Sequence, residues 1–382
     1  MTRAVLSRVV IVGGGPAAAA AAVALRDLGH DGEVVMVSGD PYGPYSRPPL
    51  SKVFLQGHTE HEDLALDVAG AEVRSGMRAV HVDPVARHVD TSDGDRLRYD
   101  GLVLATGSRP RRPKDASVAV LATLDDARSL LRRRLRTAAS AVIVGSGFLA
   151  YELASAARDS GAETAMVIRP GALEAKIGDL AHTLRDRARE HGVRIITTRG
   201  GSFSHGGVIT AEGERLDADL VAAALGTEAE TALLPEHSLP GIGFIVDEHC
   251  RVAPGIVAAC DVPVTRRADG SLRRDVTWTN ALTQGAAAAG ALLDADAPPF
   301  DPIFYGWTEA FGLDLKFAGT FPQSSPPEVV DGDRADGRAL LRWPGAAAAI
   351  GYRMPVGKLK GLARAAPAEP DAESTPAGAR AH

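Results

Sequence analysis

The segments Arg8–Leu25, RVVIVGGGPAAAAAAVAL, and Ala141–Ala157, AVIVGSGFLAYELASAA, share one pattern. Each runs from a short β-branched stretch through a Gly-x-Gly turn into an alanine-rich, helix-forming stretch. A second strand-like run follows each, EVVMVS at 33–38 and ETAMVI at 163–168. Strand, glycine turn, helix and parallel strand make a βαβ unit, which binds a dinucleotide across its first turn. Two such units in 382 residues predict an α/β fold with two Rossmann-like dinucleotide-binding domains. The uncharged run Val9–Leu25 could pass for a signal-peptide core, but its three glycines and proline favour strand, turn and helix.

In Gly13-x-Gly15-x-x-Ala18 the first glycine permits a tight turn and the second clears the approach of a pyrophosphate. Ala18 lets helix and strand pack closely, and Pro16 and Ala17 open a helix whose free N–H groups favour an anion. Asp40, just past the second strand, is placed to hold a ribose hydroxyl. The second turn is Gly145-x-Gly147-x-x-Ala150, with Phe148 and Leu149 opening its helix. Here the following strand ends in Ile168-Arg169, without an acid. An acid would bind the ribose diol of NAD, whereas an arginine meets the extra phosphate of NADP. The reading leans to NADP, with a solvated strand end as the alternative for Arg169.

A strand leading into a small-residue turn also recurs, YDGLVLATGSR at 99–109 and ADLVAAALGT at 218–227, with Gly226 in the second turn. The intervening stretch 71–100 alternates like a β-meander. A helix is expected from about Thr279 to Leu293, and 300–362 reads as a small α+β C-terminal domain rich in aromatics. The last residues, 365–382, are rich in Pro, Ala and Glu and are expected to be disordered. A net charge of −6 argues against wholesale nucleic-acid binding. Cys250 and Cys260 form neither a disulfide framework nor a metal-ligand set. With no further run long enough to span a bilayer, the chain reads as a cytoplasmic protein without metal or membrane partners.

Residues 41–57, PYGPYSRPPLSKVFLQG, place four prolines around Arg47 and Lys52. The order GGGPAAAAAA, PYSRPPLSK, YDGLVLATGSRPR, VIVGSGFLAYELA, a strand before Asp261, and WTNALTQGAAAAGALL resembles the FAD-dependent ferredoxin reductases. These are of the putidaredoxin-reductase and biphenyl-dioxygenase-reductase type, in the pyridine nucleotide-disulfide oxidoreductase superfamily. The resemblance spans roughly residues 8–320.

That resemblance implies a role for each matching residue. Lys52 would sit beside the hydride-accepting nitrogen of FAD, held there by the prolines, with Arg47 near the flavin and its phosphates. Glu152 would face the nicotinamide and pair with Lys52. Ala105, Thr106 and Gly107 would let backbone approach FAD, and Asp261 would bind its ribityl chain. The helix after Trp278 would point its N-terminus at the flavin, with Trp278 itself either pocket wall or core. Residues 1–110 and 241–299 would form an FAD domain, and 111–240 an NAD(P) domain. The function implied is electron transfer from NADPH or NADH through FAD to a [2Fe–2S] ferredoxin of an oxygenase system. A homodimer is left open.

The paired cysteines of disulfide reductases are absent from 46–57. Five further positions depart from the family pattern: Ser46, Ala150, Cys260, Val276 and the missing acid at Ile168-Arg169. They mark a divergent member and motivate two other readings. One is a flavoenzyme acting directly on a small molecule; the other is a redox-sensing flavoprotein resembling apoptosis-inducing factor. The basic runs Arg109, Arg111, Arg112, Lys114 and Arg132, Arg133, Arg134, Arg136 suggest docking of an acidic ferredoxin, or solvated surface.

Overall fold

The computed structural model describes residues 5–365 except 205, 267–269 and 323–324, with the side chains of 129–133 set aside. The expected tail lies outside the described residues from 366 onward.

The first glycine unit forms one side of a six-stranded sheet in the order Arg251–Ala253, Ile256–Ala258, Gly101–Leu104, Arg8–Val12, Glu33–Ser38, Glu72–Ser75. All but the first of these strands run parallel. Val9, Val10 and Ile11 are fully buried, as expected of a central strand covered on both faces. The helix Pro16–Asp27 packs on the helix Trp278–Leu293 so closely that a Cβ at Gly285 would lie 2.3 Å from the Ala17 carbonyl oxygen. The sheet and its covering helix are thus completed only after the chain has left and returned.

The expected meander over 71–100 is corrected in part. Its first strand, Glu72–Ser75, joins the open edge of Glu33–Ser38 in parallel register. Only Ala79–Asp83, His88–Thr91 and Arg96–Arg98 form the antiparallel sheet. Alternation reports one buried face and is blind to which partner covers it.

The second glycine unit lies in a four-stranded parallel sheet, ordered Arg194–Thr197, Glu163–Ile168, Ser140–Val144, Leu220–Ala223. Its helix is Phe148–Asp159. The two small-residue turns lead into strands Ser108–Pro110 and Thr227–Ala229, which pair antiparallel and link the units.

Residues 305–350 make a five-stranded antiparallel sheet in the order Tyr305–Ala310, Leu313–Gly319, Ala346–Ile350, Arg338–Trp343, Glu328–Asp333. The helix Val356–Arg364 covers it. The Phe317 ring stacks on Phe148 with centroids 5.0 Å apart, seating this sheet on the second glycine helix.

Candidate functional site

The two glycine turns are built alike. At Gly13 (φ 130°) a Cβ would lie 2.0 Å from the Ala105 carbonyl oxygen, and at Gly145 (φ 154°) 2.5 Å from that of Ala224. The first glycine therefore does more than turn the chain. It lets the turn pack against the small-residue loop that ends the neighbouring strand. At Gly15 and Gly147 a Cβ would meet nothing within 4 Å, which leaves the helix N-termini open to a ligand phosphate.

A cavity of about 830 Å³ opens in front of the first turn. Gly13, Gly15 and Pro16 line it, as do Asp40, Arg47, Pro48, Leu50 and Ser51. Ala105, Thr106 and Gly107, and Cys260, Asp261 and Trp278, line it as well. Residues from four stretches of the expected FAD domain thus meet in one hollow, at the carboxyl ends of parallel strands. Leu149 of the second glycine helix also reaches this wall. Ala17 and Ala18 lie behind it, buried in helix packing.

Several polar groups on the wall are fixed by hydrogen bonds. Asp40 accepts from the Tyr42 N–H at 3.1 Å and the Tyr45 hydroxyl at 2.9 Å. Burial pushes the Tyr45 phenol up to about 12. Asp261 accepts from the Ser108 hydroxyl at 2.6 Å, and its carbonyl accepts from Arg274 Nε at 2.5 Å. The Thr106 hydroxyl donates to the Glu230 carbonyl at 2.8 Å. Thr277 caps the helix Trp278–Leu293, accepting from the Asn280 N–H at 3.2 Å. The dipole of that helix therefore points its positive end into the cavity. Cys260 has φ 82°, a left-handed backbone that favours glycine. Its thiol is pushed well above the ordinary range by burial.

Lys52 ends the short helical turn Pro48–Ser51, and its ammonium donates to Glu152 Oε1 at 2.9 Å and lies 3.4 Å from the Pro48 carbonyl. The side chains of Lys52 and Glu152 are 13% and 7% exposed. Ser51 donates to Glu152 Oε2, and Thr308 donates to Oε1 at 2.8 Å. Lys52 and Glu152 are not themselves among the residues lining the cavity; the pair meets it through Ser51, which lines the wall and donates to Glu152. The Glu152 carboxylate thus closes the seam between the proline turn, the second glycine helix and the C-terminal sheet.

On the far side of that helix, the Arg169 N–H donates to Ser146 Oγ at 2.8 Å, leaving its side chain exposed at the strand end. Gly226 lies at φ 82° in the fold's second small-residue turn, where its carbonyl accepts from the Arg111 N–H at 3.0 Å. In the first basic run Arg109 and Arg111 face Glu228, and Arg112 faces Asp126. In the second run, the side chains of Arg132 and Arg133 lie outside the described residues, and Arg134 donates to the Ser117 carbonyl. Among the described residues no cluster of three His, Cys, Asp or Glu side chains could hold a metal, and no helix is long and apolar enough to cross a membrane.

Sequence reasoning missed Ser51, Ser108, Arg274 and Thr308. Ser51 and Ser108 lie inside the RPPLSK and ATGSRP stretches, so proximity to a motif was their one available signal. Arg274 and Thr308 act across the fold and carry no local mark.

The family model for pyridine nucleotide-disulphide oxidoreductases matches residues 7–285. The ferredoxin reductase component of chlorobenzene dioxygenase from Cupriavidus sp. (strain PS12) is 33% identical over 358 residues, covering 88% of this chain and 86% of the relative. The ferredoxin–NAD(+) reductase component of 3-phenylpropionate/cinnamic acid dioxygenase from Photorhabdus laumondii is 30% identical over 353 residues, covering 87% and 88%. Among solved structures, the reductase of the covalent putidaredoxin reductase–putidaredoxin complex superposes with a TM-score of 0.81 at 27% identity, covering 93% of this chain and 92% of that one.

Proposed function

This chain belongs to the pyridine nucleotide-disulphide oxidoreductase family, and from that premise we propose that it is an FAD-dependent reductase carrying electrons from NAD(P)H to a ferredoxin. The observation that carries the reading is the junction of the 830 Å³ cavity with the Lys52–Glu152 pair. The cavity fits FAD. It has an open helix N-terminus for a pyrophosphate, an acid for a ribose at Asp40, and Asp261 beside small-residue backbone for the linker. Bound FAD supplies the conversion of a two-electron hydride donor into single-electron steps.

The chain's own residues hold and poise that group. Gly15 and Pro16 leave the phosphate end open, and Arg47 adds positive charge on the same wall. Lys52 and the N-terminus of the helix Trp278–Leu293 would supply positive charge to stabilise the reduced form of the bound group. Because Lys52 is already paired and its turn is locked by Pro48 and Pro49, little reorganisation accompanies that step. Gly145, Gly147, Phe148 and Leu149 seat the nicotinamide dinucleotide, and Glu152 and Gly226 approach its reacting half. Arg169 in place of an acid selects NADPH over NADH. Residues 1–110 and 241–299 serve as the FAD domain, 111–240 as the NAD(P) domain and 300–362 as the C-terminal domain.

The acceptor is of the [2Fe–2S] class, a one-electron carrier of the kind that feeds oxygenases, and the chain works as a soluble protein able to form a homodimer. The test is reoxidation: protein reduced anaerobically with NADPH is mixed with an oxidised [2Fe–2S] ferredoxin. Fast return of the flavin bands, with the ferredoxin spectrum bleached in step, supports the reading. Return no faster than with buffer refutes it.

A further inference from the structure

The C-terminal sheet touches the second glycine helix along a single face. Phe148, Glu152 and Ser155 are spaced four and three residues apart, so they share one stripe of the helix Phe148–Asp159. Each has one partner from the sheet. Phe148 stacks on Phe317, Glu152 Oε1 accepts from the Thr308 hydroxyl at 2.8 Å, and Ser155 Oγ accepts from the Phe311 N–H at 2.8 Å. Two of these contacts are structural fastenings. The third ends on the carboxylate that holds Lys52.

Thr308 is fully buried, and Glu152 is 6% exposed. A valine would fill the same space without a hydroxyl, so packing alone does not ask for threonine here. Its one hydroxyl proton goes to the same oxygen that Lys52 uses, while Ser51 occupies the other. With both oxygens engaged the carboxyl group cannot rotate, and the direction from which Lys52 approaches is fixed.

Resting on the reading above, we propose that Thr308 is a positioning residue. From the C-terminal sheet it orients Glu152, and through Glu152 the Lys52 ammonium, for hydride transfer between nicotinamide and flavin. The C-terminal sheet then completes the reaction site instead of merely covering it.

The test compares wild type with Thr308→Val and Thr308→Ser, loaded with FAD. The first readout is anaerobic flavin reduction at saturating NADPH. A lost hydrogen bond to a charged group corresponds to about tenfold or more in rate, so Thr308→Val is expected to slow the limiting rate by that factor. The apparent dissociation constant of NADPH should stay within about twofold. Thr308→Ser, which keeps the donor, should restore the rate. The second readout needs no turnover: acylation of lysines in FAD-free protein, read by mass spectrometry with Lys114 and Lys358 as internal references. Lys52 should label several-fold faster in Thr308→Val than in wild type or Thr308→Ser. If Thr308→Val does not fold, Thr308→Ala takes its place; if neither folds, equal rate and labelling for Thr308→Ser support the proposal and a slowed Thr308→Ser overturns it. A Thr308→Val protein that reduces and labels like wild type also overturns it. A wild type that no nicotinamide reduces strikes the proposed function instead, and the labelling result still decides the positioning.

Discussion

The Lys52 ammonium and the Glu152 carboxylate, 2.9 Å apart and nearly closed off from water, join the proline turn of one glycine unit to the helix of the other. The pair therefore ties together the two halves that must exchange a hydride.

Breaking a buried pair from one side leaves a desolvated charge behind. Lys52→Met is expected to lower the unfolding free energy by about 3–5 kcal/mol, more than the double variant Lys52→Met/Glu152→Leu. Urea unfolding of the three proteins checks this. Equal losses for the single and double variants would mean that the stranded carboxylate carries no penalty and would contradict this expectation.

Arg169 leaves the end of the strand Glu163–Ile168 with its backbone N–H bound to Ser146, so the side chain is free to meet a ligand. Arg169→Glu should shift the ratio of kcat/KM for NADPH over NADH by about ten- to a hundredfold towards NADH. Steady-state kinetics with an artificial acceptor measure it; an unchanged ratio removes Arg169 from the specificity site.

Cys260 holds a left-handed backbone on the cavity wall, where a side chain is both strained and close to the ligand space. Cys260→Gly relieves roughly 1 kcal/mol of backbone strain. It should bind FAD at least as tightly as wild type. Titration of FAD-free protein, followed by flavin fluorescence, reads the affinity; weaker binding would show that the thiol is a needed contact.

Burial raises both thiols, Cys250 from 9.0 to about 12 and Cys260 further. The folded state keeps them protonated where the unfolded chain would ionise. Native Cys250 should alkylate about a thousandfold more slowly than denatured protein at pH 8. The sign for stability follows: the contribution of these groups is complete below the unfolded thiol value and is lost as pH rises through the folded one. Denaturation midpoints should fall between pH 8 and pH 10.

The parts of this molecule that were legible in its sequence are those that chemistry repeats locally. The Gly-x-Gly turns announce themselves because the close approaches at Gly13 and Gly145 admit no side chain. The helix Trp278–Leu293 lies where its alanine-rich run places it. What the sequence hid depends on distant partners. Glu72–Ser75 alternates like its neighbours, yet the edge beside Glu33–Ser38 claims it. Thr308 meets Glu152 across 156 residues, and Ser108 meets Asp261 across 153, and neither spacing leaves a pattern. The acids facing Arg109, Arg111 and Arg112, Glu228 and Asp126, lie far along the chain or outside the basic run and carry no signal in it.

The most direct test of the central claim is an anaerobic titration of the purified protein, loaded with FAD, by NADPH under visible absorption. The account predicts one tightly held FAD per chain whose oxidised bands bleach fully with one equivalent of NADPH, and far more slowly in Lys52→Met. A protein that retains no FAD, or a bound flavin that NADPH and NADH both leave oxidised, would contradict it.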